Sequence, residues 1–479
     1  MAAERGGEAV AAAPKPFSAA SRRSARLWAV VRPPERLPTA LATLSLTLVM
    51  TGHACIETAR DALFLTHAPV TNLPWVYLVL AVLAILVSHL VENRSGRETV
   101  WRGLVATQLF AAFGTLAFVM RVPIGTYWTF HALYVWGGLA STVVLVRFWM
   151  LLSERMTASQ AKRLFPLIAA GPVAGTLIGF GIASVAGREL GGHGLLLLSS
   201  CLLFASAAVG LLLRDAFCNG EAAAPAALPG RVAASHRALE QAHKIRGTSG
   251  FRLILKNRYV RRMTLVMLAA SICATLGDFL FKMTATRHVD VDDLSSFFAI
   301  SYFVFNLLSV LVVLVVTPFI RWIGVPSALA VEPALLILGV VTWALFGGYL
   351  PLLYLRGVDG ALRWSLQKTA TELLYVPMSA RLRTTVKALS DVLGHRGGQA
   401  LASIVILAVL ASRAPEWALG LALVIAAVVW IRAAASLRGP YLELFRNTLR
   451  SEFAATRLDF PDLDLESLEA LIAALNSGD

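Results

Sequence analysis

The sequence predicts an all-α integral membrane protein of twelve transmembrane helices, arranged as two six-helix bundles related by pseudo-symmetry. Hydrophobic residues make up 57% of its 479 residues and charged residues only 15%, whereas about a quarter of an ordinary soluble domain is charged. Apolar runs of the ~20 residues that a spanning helix needs recur along the chain. A long basic segment, 214–262, divides these runs into six and six.

Twelve apolar runs define the expected spans. The shortest, 398–412, is expected to begin earlier, since a spanning helix needs about 20 residues. Glycines at 347–348 separate the ninth run from the tenth, and the segment 413–415 separates the eleventh from the twelfth. The runs are 38–65, 73–92, 101–120, 127–151, 164–186, 194–213, 262–285, 294–318, 325–347, 349–376, 398–412 and 416–436.

The loops between these runs alternate in charge. Lys and Arg gather before the first run, after the second, fourth and tenth, and in 214–262, while 66–72 has none and 286–293 is net acidic. Basic loops face the cytoplasm. We therefore expect a multi-pass protein of the cell (inner) membrane with both termini in the cytoplasm, working as a monomer.

Composition predicts five units along the chain. Residues 1–36 lack an apolar segment and read as a disordered cytoplasmic tail rather than a signal peptide. Glu4, Glu8 and Glu35 argue against an organellar transit peptide. The remaining units are an N-terminal six-helix bundle at 37–214, a basic cytoplasmic linker at 215–258, a C-terminal six-helix bundle at 259–437, and a soluble helical tail at 438–479 with short amphipathic helices at 441–455 and 465–475.

Charge and motifs exclude several classes of protein. The net charge of +14 lies in loops between apolar runs, which fits contact with lipid headgroups of the bilayer rather than nucleic acid. The four cysteines and nine histidines form no metal or disulfide pattern. The chain contains no Walker A, HExxH, catalytic triad or CxxC motif. We therefore expect no enzymatic activity, no metal and no cofactor.

Charged residues inside the apolar runs are the candidate functional residues, because charge within a bilayer is costly and is usually functional. Glu57, Arg60 and Asp61 share one face of the first span. Asp278 and Lys282 share one face of the seventh, the equivalent span of the second half. These matching positions predict a central cavity shared by the two halves.

The fourth and tenth spans are also equivalent, and both carry arginine. The fourth has Arg147, and in the tenth Arg356, Asp359 and Arg363 share a face, followed by the pair Lys368 and Glu372. Arginine and lysine in a cavity bind phosphate or carboxylate. An alternative is that these charges pair among themselves and lock the helices together.

Two sets of residues summarise the expected site. The expected substrate-binding residues are Arg60, Asp61, Arg147, Asp278, Lys282, Arg363 and Glu372. The expected gating residues are Glu57, Lys368, Lys387 and Asp391, with Arg381 or Arg383 as partners on the cytoplasmic side. Gly171, Gly175 and Gly179 in the fifth span form a small-residue face that predicts close helix packing.

Short motifs add a resemblance to known transporters. The segment from Asn93 to Arg97 (NRSGR) is similar to the Asp-Arg-x-Gly-Arg turn of the major facilitator superfamily, with Asn in place of Asp. The corresponding segment of the second half, from Arg321 to Gly324, departs further. Together with the twelve-span layout, this motif favours a fold of the major facilitator type.

A longer series of motifs resembles the nucleotide transporter family, also called the ATP/ADP antiporter, Tlc or NTT family, over most of 40–436. The order and spacing of the pieces carry this resemblance. The residues concerned are Arg60, Asp61 and Leu63; Phe148, Trp149, Ala161, Lys162, Arg163 and Gly171; Asp278, Phe281 and Lys282; Trp364, Ser365, Leu366, Glu372, Tyr375 and Pro377; and Lys387, Ala388 and Asp391.

The resemblance implies ATP/ADP exchange across a membrane, by a divergent member of bacterial type. Several polar positions depart from the family pattern: Glu57 stands where the family has Arg, Arg60 replaces Lys, and Lys368 replaces Asp. We therefore expect a transporter of nucleotides, or of a related phosphorylated anion, that works by alternating access. The alternatives are a carrier of another small organic anion, or a membrane protein of the same scaffold that senses a ligand or anchors partners without transport.

Overall fold

A computed structural model describes residues 31–94, 100–156, 158–219, 257–376, 378, 383, 386–387, 390–443 and 446. The elements of these residues are helical. In chain order the helices are α1 Pro33–His67, α2 Leu73–Arg94, α3 Val100–Arg121, α4 Tyr127–Arg155, α5 Ala158–Asn219, α6 Arg258–His288, α7 Leu294–Ile323, α8 Val325–Phe346, α9 Leu350–Leu362, α10 Lys368–Tyr375, α11 Gly397–Ala411 and α12 Trp417–Ser436. Two π-helical segments, Arg363–Gln367 and Ser390–Arg396, precede α10 and α11.

Ten segments of the described residues are long and apolar enough to cross a membrane. One of them, 163–217, is too long for one crossing, and its helix α5 breaks at Gly191, where φ is 60° and ψ is −178°. This backbone conformation is essentially restricted to glycine. The tenth predicted span is not among the ten, because the π-helical segment interrupts it and five charged residues lie in it. The all-helical membrane class is confirmed, while the count of twelve spans stays a prediction.

Large apolar side chains cover the outer surface of these helices. On α7, Leu311, Leu314 and Val315 are each more than half exposed. A soluble protein rarely leaves large contiguous apolar patches open to water. In a bilayer the same surface faces lipid tails, so the exposed apolar side chains are part of the membrane fold.

The start of each half repeats the same unit at a constant spacing. Helix α1 ends at His67, a 3₁₀ turn follows from Val70, and α2 begins at Leu73. In the second half α6 ends at His288, a 3₁₀ turn follows from Val291, and α7 begins at Leu294. Each position in the second set stands 221 residues after its counterpart in the first. The two halves therefore begin with equivalent helix pairs, which makes α1 and α6 structural counterparts.

The predicted glycine face of the fifth span packs against α1. A Cβ atom added to Gly171 would lie 2.7 Å from the Thr43 carbonyl oxygen, and one added to Gly175 would lie 2.4 Å from that of Thr47. The Thr47 hydroxyl also donates to the Gly171 carbonyl at 3.2 Å. The expectation of close helix packing is confirmed, since larger side chains at these glycines would collide with the α1 backbone.

Two helix ends lie near boundaries of the predicted units, and the division into units stays a prediction. Helix α1 begins at Pro33, inside the predicted tail 1–36, and α6 begins at Arg258, at the predicted end of the linker. The Asn257 side chain starts α6 by accepting from the Tyr259 and Val260 amides. The predicted tail over 1–30, the linker over 220–256 and the C-terminal helices beyond residue 446 lie outside the described residues.

Candidate functional site

The candidate site lies where α1 and α6 approach each other. Glu57 and Asp61 precede the last residue of α1 by ten and six positions, and Asp278 and Lys282 precede the last residue of α6 by the same numbers. At a rise of 1.5 Å per residue, all four lie about 9 to 15 Å from the helix ends that face the turns 68–72 and 289–293. The sequence places these charges at the same level in both halves.

Lys282 is the centre of the site. Its side chain is only 2% exposed, and its Nζ lies 3.2 Å from Asp61 Oδ1 and 3.0 Å from Asp278 Oδ2. Nζ also donates to the Tyr134 hydroxyl at 2.7 Å. These three oxygen atoms surround the ammonium group, and two of them belong to carboxylates of opposite charge. The lysine is thus held by both halves of the molecule at once.

Two tyrosines connect the halves in opposite directions. Tyr302 on α7 donates its hydroxyl to Oδ2 of Asp61 on α1, at 2.6 Å. Tyr77 on α2 donates its hydroxyl to Oδ2 of Asp278 on α6, also at 2.6 Å. Each half therefore supplies a tyrosine from its second helix to the carboxylate on the first helix of the other half.

The ion pairs continue from Asp278 into α9. Arg356 Nε lies 3.3 Å from Asp278 Oδ1, and its Nη1 donates to Asp359 Oδ2 at 2.5 Å. Arg363 contacts Asp359 Oδ1 through both Nε, at 3.0 Å, and Nη2. Arg363 is also the first residue of the π-helical segment, and such segments are frequent at functional sites.

On the other side the ion pairs continue along α1. Arg60 Nε lies 3.4 Å from Asp61 Oδ1, and Arg60 Nη2 donates to Glu57 Oε1 at 3.4 Å. The Arg60 guanidinium stands 4.7 Å from the centre of the Tyr134 ring, a cation–π distance. His53 Nε2 lies 3.8 Å from Glu57 Oε2 at the end of the series.

These contacts make one continuous ion-pair chain, in which acid and base alternate. Its members in order are Glu57, Arg60, Asp61, Lys282, Asp278, Arg356, Asp359 and Arg363. The four carboxylates balance the four cations, and this pairing offsets the desolvation penalty of burying charged groups. The ion-pair chain can take up an anion if one of its cations exchanges its carboxylate partner for that anion.

Most of the predicted site residues take part in this ion-pair chain. The structure brings together Arg60, Asp61, Asp278, Lys282 and Arg363, and it adds Glu57, which we expected to gate. Arg147 is buried on α4 and is not one of the chain's members. It follows Tyr134 by thirteen residues, which is about 20 Å along the helix.

Two of the predicted gating residues, Lys368 and Lys387, form a separate, half-exposed cluster with Glu372, which the sequence predicted to bind substrate and which lies outside the ion-pair chain. Lys387 Nζ lies 2.9 and 3.0 Å from the two carboxylate oxygens of Glu372, and Lys368 Nζ lies 3.3 Å from Oε1. Arg383 does not join them but donates to the backbone carbonyl oxygens of Tyr375 and of residues 376 and 378. The side chain of Asp391 and residue 381 lie outside the described residues.

Sequence reasoning missed five members of the site or of its surroundings. Arg356 and Asp359 were recognised as charges but not assigned to the site, and Tyr77, Tyr134 and Tyr302 were overlooked. The chain has only nine tyrosines, and buried tyrosine hydroxyls usually have a partner. A tyrosine within an apolar run was therefore the signal that could have found the last three.

The helical membrane fold is similar to that of several solved transporters. The solved nucleoside transporter NupG is similar, with a TM-score of 0.57 at 14% identity over 84% of this chain and 99% of that one. A D-xylose-proton symporter is similar with a TM-score of 0.55 at 14% identity, over 82% and 96% of the two chains. The POT family transporter PepTSo gives 0.56 at 12% identity, over 87% and 99%.

The family model of the TLC ATP/ADP transporter matches residues 106–350, just over half of the chain. The protein therefore belongs to the TLC ATP/ADP transporter family, as its motifs led us to expect. No curated protein sequence matches it significantly.

Proposed function

We propose that this transporter carries nucleotides, by exchange of the ATP/ADP type, or a related phosphorylated anion, by alternating access. The observation that supports this proposal is the ion-pair chain between the halves, with Lys282 bound to carboxylates of both α1 and α6. The TLC family membership supports the nucleotide as the substrate class.

The cations of the ion-pair chain suit phosphate. Arg60, Lys282 and Arg356 lie within one connected series, at most one carboxylate apart. A di- or triphosphate spreads several negative charges over a few ångströms, and guanidinium groups bind phosphate oxygens in bidentate fashion. Such an anion can replace two carboxylates at once, whereas a singly charged ligand replaces one.

Replacement of these carboxylates also connects binding to conformational change. The Asp61–Lys282 pair joins α1 to α6, and the two tyrosine hydrogen bonds join each half to the other at the same level. A phosphate that takes Lys282 from Asp61 removes one of these contacts. The halves can then rock apart around the bound anion, as transporters built from two similar halves do.

We further propose the finer architecture of this transporter. The break at Gly191 divides α5 into two crossings, and α9, the π-helical segment and α10 together form another. This division supports twelve spans in the predicted bundles at 37–214 and 259–437. The basic loops support cytoplasmic termini in the inner membrane. We propose a monomer, because each half supplies its own part of the ion-pair chain.

The Glu372 cluster is proposed to act as a cytoplasmic gate. Glu372 pairs with Lys368 on its own helix and with Lys387, fifteen residues further along the chain. All three side chains are between 41% and 52% exposed, so the pairs can open and close in contact with water. Asp391 belongs to the proposed gate on sequence grounds alone, and Arg147 is proposed as an outlying anion contact.

Binding to the purified protein tests the anion site. We expect ATP and ADP to raise the unfolding temperature in detergent, adenosine not to, and the Arg60→Ala and Lys282→Ala variants to lose the shift. Arg287→Ala is the matched control, since Arg287 pairs with Glu416 at an exposed position away from the ion-pair chain. Equal shifts from ATP in the parent and in both site variants would contradict the proposed site.

A further inference from the structure

Glu332 on α8 is the buried acid that the ion-pair chain does not include. Its side chain is 2% exposed, and its Oε2 has no hydrogen-bond partner among the residues that the structure describes. An isolated carboxylate in such a place is very costly when ionised, and such groups take up a proton instead. This acid lies within a membrane-spanning helix, where ionisable groups are usually functional.

Glu332 lies beside the end of the ion-pair chain. Helices α8 and α9 run antiparallel around the turn at Gly347 and Gly348, and Gly339 packs on the Leu355 side chain, at 3.2 Å from an added Cβ. Seven residues before Gly339 is Glu332, and eight residues after Leu355 is Arg363. Antiparallel packing thus brings the two to the same level, and Glu332 interacts electrostatically with both Asp359 and Arg363.

Few other charged groups surround Glu332. From α6 the Cys273 thiol is close enough to interact with it. His395 interacts electrostatically with Arg363 and Asp359. Helices α7, α10 and α12 also pack on α8. Helices α7 and α12 carry only Arg321 and Arg432, which are exposed, and α10 carries Lys368, which pairs with Glu372 at 3.3 Å. Among these groups Arg363 is the cation that interacts electrostatically with Glu332, which makes it the candidate counter-ion.

We propose that Glu332 is a proton-binding site, whose proton is exchanged when Arg363 changes its partner. While Arg363 pairs with Asp359, Glu332 has no counter-ion and holds a proton on one carboxylate oxygen. When Arg363 turns to Glu332, the O–H bond breaks, the proton passes to water, and the ionised Glu332 pairs with Arg363. Resting on the proposed nucleotide transport, this exchange couples proton movement to the passage of the anion.

Infrared spectroscopy of the purified protein tests proton binding without any transport. We expect the parent to show the carbonyl band of a protonated carboxylic acid, and Glu332→Gln to lack it. Asp359→Asn releases Arg363 and is expected to remove the band as well, because Glu332 then ionises. Glu416→Gln, at an exposed ion pair, is the control that keeps the band. A band that persists in Glu332→Gln overturns the proposal, and this comparison decides it even if Asp359→Asn does not fold.

Transport in proteoliposomes tests the coupling. We expect nucleotide uptake by the parent to change with an imposed pH gradient, and uptake by Glu332→Gln to be independent of it. Uptake that responds equally to the gradient in both overturns the coupling, while nucleotide transport itself stands. If no nucleotide crosses the membrane in any of these proteins, the proposed function fails, and the infrared band alone then decides whether Glu332 binds a proton.

Discussion

Asp61 and Lys282 stand 221 residues apart, which is the spacing of the internal repeat, and their side chains meet at 3.2 Å. Residues at equivalent positions of two halves can contact each other only near the axis that relates those halves. One is an acid and the other a base, so the contact attracts where two identical residues of like charge would repel. The ion-pair chain is thus centred on the pseudo-symmetry axis.

Lys282 is predicted to contribute more to stability than any exposed cation. In Lys282→Met, Asp61 and Asp278 each lose a partner while both stay largely shielded from water, and removal of one member of a buried ion pair costs about 3–5 kcal/mol. Thermal or denaturant unfolding in detergent measures this. Arg287→Met serves as the control, at an expected cost of about 0–1 kcal/mol, since its pair with Glu416 is exposed. Equal losses in the two variants would contradict the account of Lys282.

Tyr77→Phe and Tyr302→Phe are predicted to lower the free energy of unfolding by similar amounts. Each removes a hydroxyl donor from a carboxylate across the interface of the halves, and hydrogen bonds to charged groups contribute about 1.5–3 kcal/mol. The free energy of unfolding should fall by this amount in either variant. Tyr127→Phe, whose hydroxyl accepts from Asn72 at an exposed site, should leave it nearly unchanged. A loss for only one of the two site tyrosines would argue against the reciprocal arrangement.

Gly175→Ala is predicted to destabilise the contact between α1 and α5. The added Cβ would lie 2.4 Å from the Thr47 carbonyl oxygen, and overpacking of this kind costs about 1–3 kcal/mol. Gly181→Ala on the same helix is the matched control, because its Cβ would meet the Phe303 ring at an ordinary 3.5 Å. Unfolding midpoints of the two variants check the difference, and a more stable Gly175→Ala would be inconsistent with the packing described.

Substitution of Asp359 is predicted to lower the free energy of unfolding much more than substitution of Glu372, although each residue contacts two cations. Asp359 is nearly buried between Arg356 and Arg363, so Asp359→Asn removes a carboxylate that both guanidinium groups share and should cost several kcal/mol. Glu372 is 41% exposed, so Glu372→Gln should change the free energy of unfolding by less than about 1 kcal/mol. If the proposed gate is real, Glu372→Gln alters the transport rate in spite of this small change in stability.

The fold class followed from the sequence because apolar run length and loop charge depend directly on the bilayer. The charged residues that share one face of a helix were also predictable. Their spacing predicted the ion pairs within each helix, and the structure contains these pairs among Glu57, Arg60 and Asp61 and between Asp278 and Lys282. These predictions need only helical periodicity, which local sequence determines.

Contacts between helices were harder to predict. The position of Arg147 across the membrane depends on where α4 begins. Because α4 starts at Tyr127, Arg147 lies about 20 Å along the helix from Tyr134 and away from the ion-pair chain. The link between Glu332 and Arg363 depends on the register of α8 against α9, which hydropathy does not reveal. The π-helical segment at Arg363 likewise changes the direction around the helix axis in which the side chains of the following residues point.

Flux across a sealed membrane tests the central claim most directly. Proteoliposomes that contain the purified protein should take up labelled ATP faster when loaded with ADP than when empty, and Lys282→Ala should abolish this uptake while Arg287→Ala retains it. Uptake that Lys282→Ala leaves unchanged, or the absence of any nucleotide uptake by the parent, would contradict the proposal that the ion-pair chain is the nucleotide site of this transporter.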